Sequence, residues 1–263
     1  MGRIDTIFTA LRAEGGRALM PFITGGHPTT AATTAMLEGF ADAGAAIAEV
    51  GLPFSDPIAD GPVIAGAMHG VLHTGTTIDD VLRAVRTAKA HTDMGLVAMV
   101  SHSIVHRRGD GDFIKQLADA GFDGIIVPDA DLVAIDALLP TIDALQMSCS
   151  LLIAPTTTPA RIEALVQRCR GFVYLLARAG ITGQRSSMDG LDQRVNTIRQ
   201  YTDLPIAVGF GINSSAAVAQ AVEACDAAIV GSALVKAIDT AQDPVKTALD
   251  TVTALATGLP TLA

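Results

Sequence analysis

The sequence predicts an α/β fold, a single (β/α)8 TIM barrel over residues 1–263 with an extra helix at its amino end. Short apolar runs alternate with longer segments of helical period, which favours a parallel sheet covered by helices. The runs are apolar at consecutive positions, as in strands that are buried on both faces. A length of 263 residues suits one such barrel. A doubly wound open sheet is the main alternative.

Eight apolar runs are predicted to be the strands: 18–24, 47–51, 96–101, 124–127, 150–153, 172–176, 206–209 and 228–231. Helices are predicted between them, for example at 30–43, 110–120, 132–139, 161–168 and 214–224. The extra helix is predicted from one apolar face, formed by Ile4, Ile7, Phe8 and Leu11. Two loops are long, LPFSDPIADGPVIAGA after the second strand and ARAGITGQRSSMDGLD after the sixth. Loops at the carboxyl ends of barrel strands form active sites, so both are candidates for function.

Composition and charge limit the classes of function. The net charge is −9 and no stretch is rich in Lys or Arg, so we expect no nucleic-acid partner and no anionic membrane surface. The three cysteines lack CxxC spacing, which argues against a disulfide framework or zinc ribbon and favours a reduced compartment. No secretory h-region or apolar run of membrane length is present, so we expect a soluble cytoplasmic protein.

Two carboxylates mark the second strand and its loop. Glu49 interrupts the apolar run AAIAEVG, and a carboxylate inside a barrel strand costs several kcal/mol unless it is paired or functional. Burial raises the pKa of such a group, which suits a general acid or base near neutral pH. Asp60 follows in a loop stiffened by prolines. The alternative is structural: Glu49 pairs with an arginine and Asp60 starts a turn.

Glycines at the ends of the last three strands predict a phosphate site. The segments ARAGITG, AVGFGINS and AAIVGSALVK each place glycine where a strand ends, so that backbone N–H groups can approach an anion. Gly211 and Gly231 lie after the seventh and eighth strands, where barrels often bind phosphate. Ser232 begins the last barrel helix and adds its hydroxyl and the helix dipole. The alternative is that these glycines only form tight turns.

Missing residue patterns narrow the reaction. None of the four lysines lies on a predicted strand, which disfavours a Schiff-base aldolase. Of two HxxxH pairs, His69/His73 lies on a predicted exposed helix, and His102/His106 straddles the end of the third strand and a loop. Neither pair makes a persuasive metal site, so we expect no metal. With no GxSxG or Cys/His nucleophile pattern, acid/base cleavage without a cofactor remains.

The segment from Glu49 to Pro62, EVGLPFSDPIADGP, closely resembles the signature of the tryptophan synthase alpha subunit family. The resemblance continues in order through ALMPFITGG, VAMVS, FDGIIVPD, LIAPTT, YLLARAGITG, VGFGI and VGSALVK, and so covers nearly the whole chain. It implies a β/α barrel that cleaves indole-3-glycerol phosphate into indole and glyceraldehyde 3-phosphate. It also implies an α2β2 heterotetramer with a beta subunit, with the pyridoxal phosphate bound by beta and no cofactor in this chain.

The resemblance also implies residue roles. Glu49 is similar to the acid/base that moves protons, and Asp60 to the carboxylate that binds the indole N–H. The implied substrate contacts are Phe22, Tyr174, His102 and, in the loop after the sixth strand, Thr182. The implied phosphate site comprises Gly183 of that loop, Phe210, Gly211, Gly231 and Ser232. The implied surface for the beta subunit comprises Pro53, Asp56 and Pro57.

The chain departs from the family pattern in several places. His102 replaces the usual tyrosine, Ser103-Ile104 stands where Asn-Pro is common, Ala65 replaces glutamine and Gly70 replaces arginine. Ala130-Asp131 stands where Leu-Pro is common, and Ala177 replaces the usual serine. We expect these departures to affect the reaction rate and the coupling to the beta subunit more than the type of reaction. An imidazole at position 102 near Glu49 would make activity more sensitive to acid. Two alternatives stay open: a regulatory alpha-like subunit with weak catalysis, and a free-standing indole-3-glycerol phosphate lyase.

Overall fold

The computed structural model describes residues 1–57, 60–176, 190–209 and 211–261, which form nine strands and twelve helices. The strands are β1 (Ala18–Thr24), β2 (Ile47–Gly51), β3 (Gly95–Met99), β4 (Gly124–Ile126), β5 (Ser148–Cys149), β6 (Leu152–Ile153), β7 (Val173–Leu176), β8 (Ile206–Gly209) and β9 (Ala227–Val230). The helices are α1 (Arg3–Ala13), α2 (Thr30–Gly39), α3 (Pro62–His73), α4 (Ile78–Lys89), α5 (His102–Arg108), α6 (Asp110–Asp119), α7 (Leu132–Ala144), α8 (Pro159–Val166), α9 (Leu191–Arg199), α10 (Ser215–Ala224), α11 (Ser232–Asp239) and α12 (Pro244–Ala256). None of these helices is long and apolar enough to cross a membrane.

The strands close into the predicted barrel. They pair in parallel in the order β5-β4-β3-β2-β1-β9-β8-β7-β6, and the first and last of this order are neighbours in the chain. Between them, the Ser150 N–H donates to the Ile125 carbonyl (3.1 Å) and the Leu151 carbonyl accepts from the Tyr174 N–H (3.2 Å). Residues 148–153 therefore bond to β4 on one side and β7 on the other. Since β5 and β6 are two halves of one strand, the barrel is eight-stranded, as the sequence predicts.

The strand register sorts the inward side chains into levels. Side chains alternate in direction along each strand, and an eight-stranded barrel shifts by about one residue per strand around its axis. Tracing the paired residues around the barrel places four side chains at one middle level: Glu49, Ile126, Tyr174 and Ile229. The next level toward the carboxyl end contains Phe22, Met99, Leu152 and Gly209. Glu49 is thus the one ionisable carboxylate in a layer otherwise filled by large side chains.

Helix α1 closes the amino end of the barrel, as the apolar face of residues 4–11 predicts. Ile4 and Phe8 are buried and belong to the interior cluster that also contains Ile47 and Phe172. The rings of Phe8 and Phe172 lie 5.9 Å apart between centroids. Burying an aliphatic or aromatic side chain of this size contributes about 2 kcal/mol. With its amino end sealed, the barrel opens only at the carboxyl ends of its strands.

Two aspartates that directly precede strands fix this amino end, and the first is Asp123. Its Oδ2 accepts the Leu96 N–H at 2.9 Å and the ammonium of Lys89 at 2.7 Å. One carboxylate thereby joins the start of β3, the start of β4 and the end of α4. The similar phrases AGFDGIIVP and ACDAAIVG reflect this shared aspartate as well as shared turn chemistry.

Asp226 takes the corresponding position before β9. It accepts the Ile206 N–H and the Arg12 Nε–H, both at 2.8 Å, and pairs with Arg199. Burial alone would raise its pKa, but the hydrogen bonds from Arg12 and Ile206 and the charges of both arginines lower its pKa. Every side of this carboxylate has a partner, so its role is structural.

Two local predictions are wrong. Residues 102–108, interpreted as a loop, form α5, because Ser101 caps its first turn and Asp129 Oδ1 accepts the His102 N–H at 2.8 Å. The helix predicted at 132–139 continues through Pro140 and reaches Ala144 as α7. Ile142, beyond the proline, is fully buried, so packing on the sheet outweighs the lost backbone hydrogen bond.

Candidate active site

Glu49 is the most unusual ionisable group in the barrel. Its side chain points inward from β2 and is fully buried, and neither carboxylate oxygen has a hydrogen-bond partner among the described residues. Burial without a partner disfavours the charged form and raises its pKa to about 8. The group is therefore protonated at neutral pH and can exchange a proton there. The structural alternative, a salt bridge to an arginine, does not occur in the described part of the chain.

Asp60 lies at the end of the loop that follows the same strand. Its N–H donates to the Pro57 carbonyl at 3.0 Å, and Gly61 and Pro62 begin α3 immediately after it. The carboxyl is half-buried, and burial raises its pKa to about 6. Asp60 is thus ionised at neutral pH while Glu49 is not, which gives two carboxyl groups of opposite protonation at one site.

Tyr174 connects the two carboxyl groups. It is buried at the level of Glu49, and its hydroxyl lies over Gly209, where an added Cβ would come within 2.4 Å of the Tyr174 Oη. Burial raises the Tyr174 pKa, and the charges of Glu49 and Asp60 raise it further. Both carboxyl groups therefore lie within electrostatic reach of one hydroxyl. Tyr174 and Asp60 line a common space, whereas Glu49 is fully buried and is not among the residues that line it.

That space is a cavity of about 650 Å³ at the carboxyl end of the barrel. Its wall is largely apolar and includes residues that the sequence analysis did not single out: Ile64, Met99, Pro128, Leu152, Leu176, Ile212 and Ile229. Phe22 forms part of this wall, and Gly51 leaves room for its ring, since a Cβ there would lie 2.6 Å from Phe22 Cζ. An apolar wall of this kind suits a planar aromatic ligand. Of the missed residues, the four on strands (Met99, Leu152, Leu176 and Ile229) follow from inward alternation once the strand register is known.

The opposite side of the cavity is formed by Gly211, Gly231 and Ser232. Ser232 is the first residue of α11, and the N–H groups of Ser232 and Ala233 are not used by intrahelical bonds, whereas that of Leu234 donates to the Gly231 carbonyl at 2.9 Å. Gly211 has a φ of +74°, a conformation that favours glycine. No lysine or arginine lines the cavity among the described residues. An anion at this end would be held by backbone N–H groups and the helix dipole.

A second cavity of about 400 Å³ adjoins the first and shares Asp60, Met99 and Pro128 with it. The loop after β2 bounds it through Phe54, Asp56 and Pro57. Of the residues predicted to face a partner, Pro53 is buried, Pro57 is half-buried and Asp56 is exposed.

The structure places His102 at the start of α5, where it lines neither cavity. Its ring lies 6.0 Å from that of His106, and no group of three or more metal-binding side chains occurs among the described residues. The predicted sites at Thr182, Gly183 and Phe210 lie outside the described residues. A substrate contact by His102 stays a prediction, as do the roles assigned to these three.

Comparison with known proteins agrees with this geometry. Residues 8–262 match the family model described as tryptophan synthase alpha chain. The chain is 40% identical to the alpha chain of Cyanothece sp. over 238 residues, covering 90% of this chain and 89% of the relative. It is 39% identical to that of Neisseria gonorrhoeae over 241 residues, covering 91% and 92%.

Solved structures give the same result. A Mycobacterium tuberculosis tryptophan synthase structure matches with a TM-score of 0.90 and 34% identity, covering 98% of both chains. The tryptophan synthase subunit alpha of Legionella pneumophila matches with a TM-score of 0.90 and 30% identity, again covering 98% of both. The chain belongs to the tryptophan synthase alpha chain family, whose members are lyases of tryptophan biosynthesis.

Proposed function

We propose that this chain cleaves indole-3-glycerol phosphate into indole and glyceraldehyde 3-phosphate, with Glu49 as the acid/base and Asp60 as the indole-binding carboxylate. The observation that carries the proposal is a pair of carboxyl groups with raised pKa values, about 8 for Glu49 and about 6 for Asp60, of which Asp60 lines the apolar cavity and Glu49 is buried in the barrel at the level of Tyr174, which lines it too. The membership of the chain in the alpha chain family supports the same reaction. We also propose that residues 1–263 act as one barrel domain.

The reaction breaks the bond between indole carbon three and the glyceryl chain. Carbon three must gain a proton, and the glyceryl hydroxyl next to the cleaved bond must lose one as it becomes the aldehyde. Glu49 is protonated at neutral pH and can donate the first proton. Its carboxylate then accepts the hydroxyl proton, which restores the enzyme and balances the reaction without water or a cofactor.

Asp60 acts on the other side of the indole ring. Protonation at carbon three makes the ring cationic and its N–H a stronger donor. A carboxylate that is ionised above a pKa of about 6 stabilises this charge, and the effect is stronger in a half-buried site than in water. Phe22 and Tyr174 bound the ring, and Gly211, Gly231 and Ser232 hold the phosphate with backbone N–H groups.

We propose that the chain assembles with a beta subunit as an α2β2 heterotetramer. The surface offered to the partner is the loop of Pro53, Asp56 and Pro57, which bounds the cavity next to Asp60. The matching Mycobacterium tuberculosis structures are of tryptophan synthase. Any pyridoxal phosphate belongs to the beta subunit in this proposal, and the chain itself needs no cofactor.

The test is indole release from indole-3-glycerol phosphate by the purified chain, with and without a beta subunit. Glu49→Gln and Asp60→Asn are compared with Glu14→Gln and Asp42→Asn, which make the same chemical changes at exposed positions. We expect slow turnover that rises with beta, collapses in the first pair and persists in the second. Fast turnover without beta would favour a free-standing lyase. No turnover by a folded chain that binds beta would favour a regulatory subunit.

A further inference from the structure

The segment between β2 and α3 folds back over the helix that follows it. It begins at Leu52, whose N–H donates to the Met99 carbonyl at 2.8 Å, and it ends at Gly61, the N-cap of α3. Phe54, in its middle, is half-buried and packs on a small apolar cluster that includes Ile64 and Met68 of α3. Residues 53–57 therefore lie against the first and second turns of the helix.

One hydrogen bond fastens this stretch. The Nε2 of His69, on the exposed side of α3, lies 3.0 Å from the Ser55 carbonyl oxygen. Because a carbonyl only accepts, Nε2 must carry the proton, in either the neutral or the charged ring. In the part of the chain that the structure describes, no other hydrogen bond joins residues 53–57 to another secondary-structure element.

Further contacts lead from this bond to Asp60. The Ser55 hydroxyl donates to Asp56 Oδ2 at 2.6 Å, and the Asp60 N–H donates to the Pro57 carbonyl at 3.0 Å. The backbone of Asp60 is thus anchored on the stretch that His69 holds. Since Asp60 lines both cavities, a shift of residues 53–57 would move its carboxyl relative to the substrate space.

We propose that His69 is a positioning residue for the cleavage reaction, which holds residues 53–57 on α3 and thereby sets the placement of Asp60. This inference rests on the proposed role of Asp60. His69 does not touch the substrate space itself and acts through a backbone carbonyl. The property that matters is a hydrogen-bond donor at this point, not the charge or the titration of the ring.

The chain supplies a matched control. His73 occupies the same helix one turn later and is also exposed, and within the described residues it makes no hydrogen bond or ion pair. His69→Leu removes the donor, His69→Gln retains an N–H donor at a similar reach from the backbone, and His73→Leu makes the same change where no bond exists. All three changes fall at exposed positions, so the fold is retained.

The experiment combines two readouts. Hydrogen exchange of the peptide containing Asp60 reports loop placement without reference to any substrate, and indole release reports its consequence. We expect His69→Leu to speed exchange at Asp60 and to lower kcat/KM roughly three- to tenfold, the effect of losing one exposed hydrogen bond. His69→Gln should recover most of both values, and His73→Leu should match wild type.

The outcomes separate this inference from the proposed reaction. Unchanged exchange and unchanged kcat/KM in His69→Leu would overturn it, because Phe54 packing would then suffice to place the loop. Equal losses in His69→Leu and His73→Leu would also overturn it, since they would reflect the helix and not the bond. If wild type released no indole, the proposed reaction would fail, while the exchange data would still decide whether His69 holds the loop.

Discussion

Asp226 and Glu49 are both buried carboxyl groups of the barrel, Asp226 directly before β9 and Glu49 within β2. They differ in their hydrogen-bond partners. Asp226, at the amino end, accepts from two arginines and a backbone N–H, and these partners lower its pKa. Glu49, in the middle of β2, has no partner, and burial raises its pKa to about 8. A paired carboxylate stabilises the fold, whereas an unpaired one costs stability and is retained for chemistry.

The largest expected effect is on catalysis by Glu49. Replacing it with Gln keeps the shape but removes the exchangeable proton, so kcat for indole release should fall roughly 10²- to 10⁴-fold. Asp226→Asn should keep kcat close to wild type when rates are corrected for the folded fraction. Comparable losses of kcat in both folded variants would break the distinction between the two carboxylates.

The second effect is on stability at Asp226. Asp226→Ala leaves Arg12, Arg199 and the Ile206 N–H without their acceptor, and should lower the free energy of unfolding by roughly 3 kcal/mol. Because the folded pKa is lowered from 3.8, this contribution is present above about pH 4 and is lost as pH falls through the folded pKa. Denaturant melts at pH 7 and pH 3 measure it. Asp203→Ala, the same change at an exposed position in the loop before β8, is the control.

The third effect has the opposite sign. Because the pKa of Glu49 is raised in the folded protein, the contribution of Glu49 to the free energy of unfolding depends on pH. This contribution is fully present below the ordinary pKa of 4.5 and is lost as the pH rises to about 8. Glu49→Gln should therefore match wild type near pH 4.5 and exceed it at pH 8. We expect a gain on the order of 2 kcal/mol, less than the full pKa shift because the site can relax. A variant less stable than wild type at pH 8 would indicate that ionised Glu49 has a partner.

The smallest effect concerns the acid limb of the pH profile of kcat/KM. The value of kcat/KM should rise through about pH 6 as Asp60 ionises and fall through about pH 8 as Glu49 loses its proton. His102→Tyr should leave this profile unchanged, because His102 lines neither cavity. A shift of the acid limb in that variant would instead support the acid sensitivity inferred from the sequence.

Much of the fold could be predicted because buried parallel strands produce continuous apolar runs. The runs at β1, β2 and β8 coincide with the observed strands, and the predicted amino-terminal helix is present as α1. The split of the fifth strand was not visible, since Ser150 and Leu151 bond to strands far apart in the chain. The extension of α7 beyond Leu139 was not visible either, because local propensity around Pro140 contains no information about the burial of Ile142.

The site was predicted less completely. Glu49 is conspicuous because a charge inside an apolar run demands an explanation, and glycines at strand ends indicate a backbone anion site. The levels that bring Tyr174 beside Glu49 depend on register, which a single sequence does not contain. The pairing of Asp226 was hidden for the same reason: Arg12 and Arg199 lie on helices separated from it by 214 and 27 residues.

The most direct test of this comparison is a titration of Glu49 by carbon-13 NMR in protein labelled at its glutamate carboxyl carbons. The chain has five glutamates, so the spectrum is simple. We predict one resonance that titrates near pH 8 and is absent from Glu49→Gln. If all the glutamates titrate near their ordinary value of 4.5, Glu49 is stabilised as a carboxylate, and the account of it as an unpaired, proton-holding group is wrong.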